Sequence, residues 1–275
     1  MARRLAPLPV RLFRILRLAA HVARGLWIVH TRYPRLAPAA QDRQLERWSR
    51  QLLAILGVAV RTRNAPGALP ERCLVVSNHT SWLDIFAVYA VAPGLFVAKS
   101  DIRDWPVVGR LVDRVGTLFI ERGNRRHARL TNERIVAALE GGRLVSVCPE
   151  GTTTDGRSLR HFHAALLQPA IDARAMVLPV ALRYLDEADV QTDAAAYVGD
   201  DSLVASVWRI ASARSLTVEL RFVPCFDATP LHRREVARRA HAAIAAELGL
   251  SPAPRPAEPS APPAAERPIR AVSHR

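Results

Sequence analysis

Lysine is all but missing from this chain of 275 residues: Lys99 stands alone against 38 arginines. A ratio that lopsided is what a base-composition bias produces, so the arginine count by itself identifies no partner. The one lysine kept against that bias marks Lys99 as a candidate anion-binding position, where a compact ammonium rather than a guanidinium is wanted. Cysteine is scarce as well, with residues 73, 148 and 225 in apolar, strand-like surroundings. The number is odd, and neither Cys-x-x-Cys nor any zinc-ligand spacing occurs. Buried free thiols in a reducing compartment are therefore expected, with no metal and no other cofactor implied. No Gly-x-Ser-x-Gly elbow is present, which argues against a serine hydrolase. A thiol hydrolase built on Cys73 or Cys148 is disfavoured too, because a thiol inside an apolar strand is inert.

Acidic residues are absent from the first 40 positions, which hold eight arginines: 3, 4, 11, 14, 17, 24, 32 and 35. Within a net charge of +14, such an arm can face nucleic acid or the anionic cytoplasmic leaflet of a membrane. Aromatics make up only 6% of the chain, and the arginines share their helix with a broad apolar face that RNA would not use, so nucleic acid is disfavoured. Long uncharged apolar runs are also lacking. The longest, Ile85 to Ala98, is broken by Pro93-Gly94, so no spanning helix is expected. Arginines interrupt the apolar core that a signal peptide would need.

Residues 9–30 have helical periodicity. Arg11, Arg14, Arg17, His21 and Arg24 fall in one arc, while Leu12, Ile15, Leu16, Leu18, Val22 and Leu26 cover much of the rest. The spacing predicts a helix lying in the membrane interface, with basic residues at headgroup level and Trp27 as an anchor. A helix packed on the domain with a solvated basic face is the alternative. A second amphipathic helix is expected over about 41–56, stopped by Gly57. Beyond it, strands near 73–77, 116–120, 143–148, 176–183 and 215–223 alternate with helices near 81–91, 125–140, 161–172, 201–212 and 231–248. This alternation predicts an α/β fold: a single layered domain over residues 41–250 with a mostly parallel or mixed central sheet flanked by helices, preceded by N-terminal amphipathic helices. Residues 1–40 form the basic membrane-interface segment. Residues 251–275 begin with seven prolines in 18 positions and read as a disordered tail.

The most informative segment is Ser77-Asn78-His79-Thr80-Ser81-Trp82-Leu83-Asp84. It follows the apolar run Cys73-Leu74-Val75-Val76 and precedes a helix, so His79 falls on a turn at a strand's carboxyl end, where α/β folds place chemistry. An imidazole with a nearby carboxylate is the minimal general base. Ser81-x-x-Asp84 is equally a capping box, which explains Asp84 without catalysis. Three more clusters sit at strand ends. Gly116 to Arg122 delivers a forked donor for phosphate or carboxylate at Arg122. Val147-Cys148-Pro149-Glu150-Gly151-Thr152 ends in an acid that can accept from a substrate hydroxyl or hold Arg122, and in a glycine that allows close backbone approach. Val177-Leu178-Pro179-Val180-Ala181 carries a proline that suggests an edge strand or a bulge. Taken singly, a solvated strand end, a turn acid and an edge device explain each of them.

In this order and spacing the clusters resemble the glycerolipid acyltransferase family, the 1-acylglycerol-3-phosphate acyltransferases and their relatives. Asn-His-x4-Asp matches at Asn78, His79 and Asp84. Gly-x-x-Phe-Ile-x-Arg matches at Gly116, Phe119, Ile120 and Arg122, Pro-Glu-Gly-Thr at Pro149 to Thr152, and the apolar proline segment at Val177 to Ala181. Lys99 with Trp105 to Gly109 resembles the family's stretch between the first two motifs. The resemblance covers about residues 70–225. It implies transfer of a fatty acyl group from acyl-CoA or an acyl carrier protein to a lysolipid hydroxyl, most simply 1-acylglycerol-3-phosphate. His79 and Asp84 would be catalytic, and Asn78, Lys99, Arg122, Glu150, Gly151 and Thr152 would bind substrate. Its partners would be a membrane surface, the lysolipid acceptor and the carrier protein, and its place the cytoplasmic face of the membrane, as a peripheral or monotopic protein. Two departures stand out. Many members carry Phe-Lys-x-Gly where this chain has Phe162-His163-Ala164-Ala165, and the stretch Glu150 to Gly156 looks more like the branch acting on lyso-ornithine lipids.

Overall fold

The computed structural model describes residues 5–105, 107–121 and 125–250. Arg122, Arg3, Arg4 and the proline-rich stretch from Ser251 onward therefore lie outside the described residues. Strand β2 (Cys73–Ser77) is buried along its whole length. Its odd residues, Cys73 and Val75, join one core and its even residues, Leu74 and Val76, the other. A strand that reads as one continuous apolar run is thus the centre of a three-layer α/β sandwich. The sheet runs β1 (Val58–Arg63), β7 (Leu216–Phe222), β6 (Met176–Leu185), β2, β5 (Val145–Val147), β3 (Leu95–Lys99) and β4 (Leu118–Ile120), with the short β8 (Phe226–Asp227) also on β6. It is mixed: β6 pairs antiparallel with β7 and β8, and the other pairs are parallel.

On one face pack α1 (Leu8–Thr31), α2 (Pro38–Leu56), α3 (Leu83–Tyr89) and α7 (Leu203–Ser212). On the other lie α5 (Arg125–Glu140), α6 (Gln168–Asp172) and α8 (Arg233–Leu248). The remaining helix, α4 (Val108–Arg114), sits beside α1. Gly57 and Gly249 close α2 and α8 in the left-handed conformation, at φ of 77° and 67°, where a residue without Cβ carries no steric penalty.

Several expectations change. Strands β1, β3 and β8 and helix α4 have no counterpart among the elements expected from the sequence. The apolar stretch Ile85 to Ala98 is two elements, α3 and β3, divided at Pro93-Gly94. A Cβ on Gly94 would lie 2.4 Å from the Leu144 carbonyl oxygen, so the turn needs glycine. The helix expected over 161–172 is a loop through His163, a 3-10 turn at Ala164–Leu167 and the short α6, because Pro169 starts a new helix rather than continuing one. The strand carrying Pro179 is central rather than an edge. Pro179 pairs with Val76 of β2 and its carbonyl accepts from the Val223 amide at 3.0 Å. Its missing N–H faces the side where the neighbour changes from β8, paired at 176–177, to β7, paired from Val180 onward. No ladder bond is lost there. Cys225 is exposed, on the link between β7 and β8, unlike the buried Cys73 and Cys148.

The arginine arc of α1 divides. Arg14 turns inward and donates to the carbonyls of Ala211 and Ala213 at 2.9 and 2.7 Å, fastening α1 to the end of α7. His21 is buried, stacked 4.7 Å from the Trp48 ring. Outward on α1 face Leu12, Phe13 and Leu16, the last 69% exposed, with Trp27 under the Arg32 guanidinium. Among the described residues no helix is long and apolar enough to cross a membrane.

Candidate active site

Parallel β2, β5 and β3 end on the same edge of the sheet, and the motif residues follow those ends. The turn from β2 to α3 carries His79. Its imidazole Nδ1 lies 2.9 Å from Asp84 Oδ2. A carboxylate can only accept, so Nδ1 bears the proton and Nε2 is left as the basic nitrogen. The same oxygen accepts the amides of Thr80 at 2.6 Å and Ser81 at 2.8 Å, while Ser81 Oγ accepts the Leu83 amide at 3.2 Å. Half of the capping box expected from Ser81-x-x-Asp84 is present: Asp84 bonds back to the Ser81 amide, but the Asp84 amide goes to the Ser81 carbonyl at 3.1 Å rather than to the hydroxyl. Asp84 thus caps α3 and orients the ring at once. Its other oxygen accepts the Tyr184 hydroxyl of β6 at 2.7 Å, and the carboxylate has no solvent exposure. Burial, then the Asp84 charge, push the Tyr184 pKa well above the usual phenol range, so Tyr184 remains a donor.

The backbone of His79 is held from both sides. Its amide donates to Glu150 Oε1 at 2.7 Å, and its carbonyl accepts from the Thr154 amide at 2.8 Å. Glu150 also accepts the Arg160 amide at 2.9 Å. Burial pushes the Glu150 carboxyl up to about 7, against the two amides that favour its ionised form. For His79, burial disfavours the imidazolium. The Cys148 sulfur and the Asp84 carboxylate outweigh burial and hold the pKa well above the ordinary imidazole value.

The turn opens on a cavity of about 570 Å³. Its walls are largely apolar: Leu18, Val22 and Ile28 of α1, Leu45 and Trp48 of α2, Phe86 and Tyr89 of α3, Leu111 and Val112 of α4. Polar lining includes His79, Lys99, Thr152 and Thr153 from the sheet's carboxyl end, with Gln44 of α2 and the acidic Asp101, and Gly151 lies there too at φ 65°. The structure thus brings His79, Lys99, Gly151 and Thr152 to one cavity.

Asn78 and Glu150, expected to bind substrate, are buried and engaged elsewhere. Asn78 donates to the Leu182 carbonyl at 2.9 Å and accepts the Leu182 amide at 2.7 Å, so it ties the end of β2 to β6. Both Glu150 oxygens accept backbone amides, of His79 and Arg160, so its side chain positions His79. Arg122 follows β4 outside the described residues. Backbone amides beside the site that could serve as oxyanion donors are engaged as well, Thr80 and Ser81 with Asp84, and Gly151 with the Cys148 carbonyl at 3.1 Å.

Two participants escaped the sequence reading. Tyr184 has no motif of its own; only the alternation of β6 puts it beside Leu182 on the α3 side. Cys148, expected to be inert in a strand, lies just past the end of β5 and lines the cavity beside His79.

Comparison with known proteins gives this geometry a context. A family model described as Acyltransferase matches residues 58–183. The 1-acyl-sn-glycerol-3-phosphate acyltransferase of Neisseria meningitidis serogroup B is 41% identical over 191 residues, covering 70% of this chain and 74% of that protein. The lyso-ornithine lipid O-acyltransferase of Pseudomonas aeruginosa is 36% identical over 250 residues, covering 88% of this chain and 95% of that one. The crystal structure of the 1-acyl-sn-glycerophosphate (LPA) acyltransferase PlsC from Thermotoga maritima shares the fold, with a TM-score of 0.60 at 18% identity over 86% of this chain and 96% of that one. The matched region holds the His79 turn, the Pro149–Thr152 turn and the β6 backbone that Asn78 grips, and on these matches the chain belongs to the acyltransferase family and is an O-acyltransferase.

Proposed function

We propose that the protein moves a fatty acyl group from an acyl thioester, carried by CoA or acyl carrier protein, to the hydroxyl of 1-acylglycerol-3-phosphate, giving phosphatidate. One observation carries the reading: an imidazole with Nδ1 fixed by a buried carboxylate lines a mostly apolar cavity suited to a fatty chain. In this mechanism Nε2 of His79 takes the acceptor's hydroxyl proton as that oxygen attacks the thioester carbonyl. Asp84 stabilises the imidazolium, and the proton passes to the departing thiolate. The products are an ester and the carrier thiol, with no covalent acyl-enzyme required. Lys99 in the cavity wall, and Arg122, supply cationic groups for the anionic headgroup.

The exposed apolar surface supports a membrane partner. Leu12, Phe13 and Leu16 of α1 face outward, and Val204 and Trp208 of the adjoining α7 are 80% and 40% exposed. Leu18 and Val22 of α1 and Leu203 and Val207 of α7 line the cavity. A lipid chain can thus pass from a bilayer into the cavity between those helices, and the arginines of α1 suit the anionic cytoplasmic leaflet. Binding to anionic vesicles should weaken at least tenfold when Phe13 and Leu16 are both changed to Asp; unchanged binding would remove this face from the proposal.

Lyso-ornithine lipid is the second acceptor to consider. The Pseudomonas aeruginosa relative aligns over more of this chain than the Neisseria one, and position 163, where many members have lysine, is an exposed histidine. The deciding experiment offers the purified protein acyl-CoA or acyl carrier protein thioester with each lysolipid and identifies the product by mass. Phosphatidate formation supports the first acceptor. Acylation of lyso-ornithine lipid alone transfers the assignment to the second, and no product with either refutes both.

A further inference from the structure

The three thiols have different surroundings. Cys73 is fully buried at the start of β2, and burial pushes its thiol up to about 12. Cys225 is exposed on the β7–β8 link. Cys148 lines the cavity together with His79, Gly151 and Thr152. Its sulfur lies 3.4 Å from Ser77 Oγ and donates to the Asn78 carbonyl oxygen at 3.8 Å, and it is near enough to the His79 ring to raise that ring's pKa. Nδ1 of that ring is committed to Asp84 at 2.9 Å, which leaves Nε2 as the nitrogen able to accept a proton. A thiol and a carboxylate-oriented imidazole thus line the same largely apolar cavity, as a nucleophile and a base. Acyl transfer as described above uses the imidazole and its carboxylate and leaves the thiol without a role.

We propose that Cys148 is a covalent modification site for lipid electrophiles, long-chain compounds bearing an α,β-unsaturated carbonyl, whose chain enters the cavity and whose reactive carbon meets the thiol. The reaction is a conjugate addition. His79 takes the thiol proton and the sulfur bonds to the β-carbon. The carbon–carbon π bond opens toward the carbonyl, and the proton returns to the α-carbon. Nothing leaves and no oxidant is needed. The adduct fills the cavity beside His79, so modification stops turnover. The inference rests on the fatty-chain reading of the cavity, but it is read out by mass rather than by activity.

The test treats the full-length protein in detergent-free buffer with N-ethylmaleimide or N-dodecylmaleimide, which share one electrophile and differ in chain. Adduct formation is followed at each cysteine by peptide mass. Cys148 should react at least tenfold faster with the dodecyl reagent, while Cys225, exposed and outside the cavity, shows no such preference. His79→Gln should slow labelling of Cys148 at least tenfold and leave Cys225 unchanged. Equal rates of the two reagents at Cys148, or labelling confined to Cys225, would overturn the proposal. A protein that shows the chain preference yet acylates no lysolipid would support the thiol site and refute only the acceptor assignment.

Discussion

Replacing Asp84 by Asn separates the two roles its carboxylate combines. Asp84 Oδ2 gathers three N–H donors, at 2.6, 2.8 and 2.9 Å from Thr80, Ser81 and His79, while Oδ1 takes the Tyr184 hydroxyl at 2.7 Å. An asparagine fits this arrangement. Its amide oxygen accepts the three N–H groups, and its NH2 donates to a Tyr184 hydroxyl turned around, so no donor is left unpaired. The fold should therefore survive, with a loss of about 1–2 kcal/mol as charge-assisted bonds become neutral ones. Alanine, by contrast, would strand the Thr80 and Ser81 amides and the Tyr184 hydroxyl in the core. At about 1–3 kcal/mol for each unpaired group, that is about 3–9 kcal/mol, comparable with the whole stability of a domain. In the Asn variant His79 keeps its tautomer but loses the charge that stabilises its imidazolium. We expect kcat/KM to fall about 10²-fold or more, within the usual worth of a general base. Because the Asp84 hydrogen bond and charge both raise the His79 pKa, the pH at which activity is half-maximal should fall as well. Denaturant unfolding and a pH–rate profile measure both effects. Activity within tenfold of the parent, or a midpoint that does not move down, would show that Asp84 is only a cap.

Further expectations follow from the same network. Since His79 acts unprotonated and its pKa is raised, kcat/KM should climb with pH through a midpoint above 6.5 and then level off; a midpoint below 6.5 contradicts the assignment. Glu150 is an acid whose folded pKa, about 7, exceeds its ordinary 4.5. The folded state therefore holds its proton longer, and stability should fall by about 3 kcal/mol as pH rises across that window, at about 1.36 kcal/mol per pH unit. Urea titrations at pH 5 and 8 test this, and Glu150→Gln should flatten the slope; an equal slope in the variant would assign it elsewhere. Tyr184→Phe removes one of the four donors to Asp84 and leaves the ring contact intact. It should lose about 1.5–3 kcal/mol of stability but less than tenfold in kcat, and a loss as large as that of Asp84→Asn would mean that Tyr184 acts on the reaction itself.

Much of the fold was legible because buried parallel strands announce themselves as apolar runs between turn signals, as at 73–77 and 176–183. Strand β1 was not, because Arg61-Thr62-Arg63 reads as solvated chain. Its partner lies 156 residues away: Arg63 reaches the buried Glu219 of β7 at 3.1 Å, an oxygen pair shared with Arg183 and Arg221. Strand β3 was hidden by fusion with α3 into one apolar stretch. At the site, the His79–Asp84 pair could be read from spacing, since a five-residue reach across a turn is local. Tyr184, Thr154 and the inward face of Glu150 could not, because their partners are fixed only when β5, β6 and the 151–156 turn converge on β2. The basic arc of α1 misled for a related reason. Helical periodicity places Arg14 and His21 on one face, and only the packing of α7 and α2 shows that this face is partly turned inward.

The most direct test of the account is acyl transfer by His79→Ala. The purified variant and its parent would be given the same acyl thioester and lysolipid, product would be counted by mass, and thermal unfolding would be recorded alongside. The account requires turnover to drop at least about 10³-fold with the melting temperature nearly unchanged, because Asp84 keeps its two amides and the Tyr184 hydroxyl. Turnover within tenfold of the parent in a folded variant would contradict it, and would assign the acceptor's proton to another group.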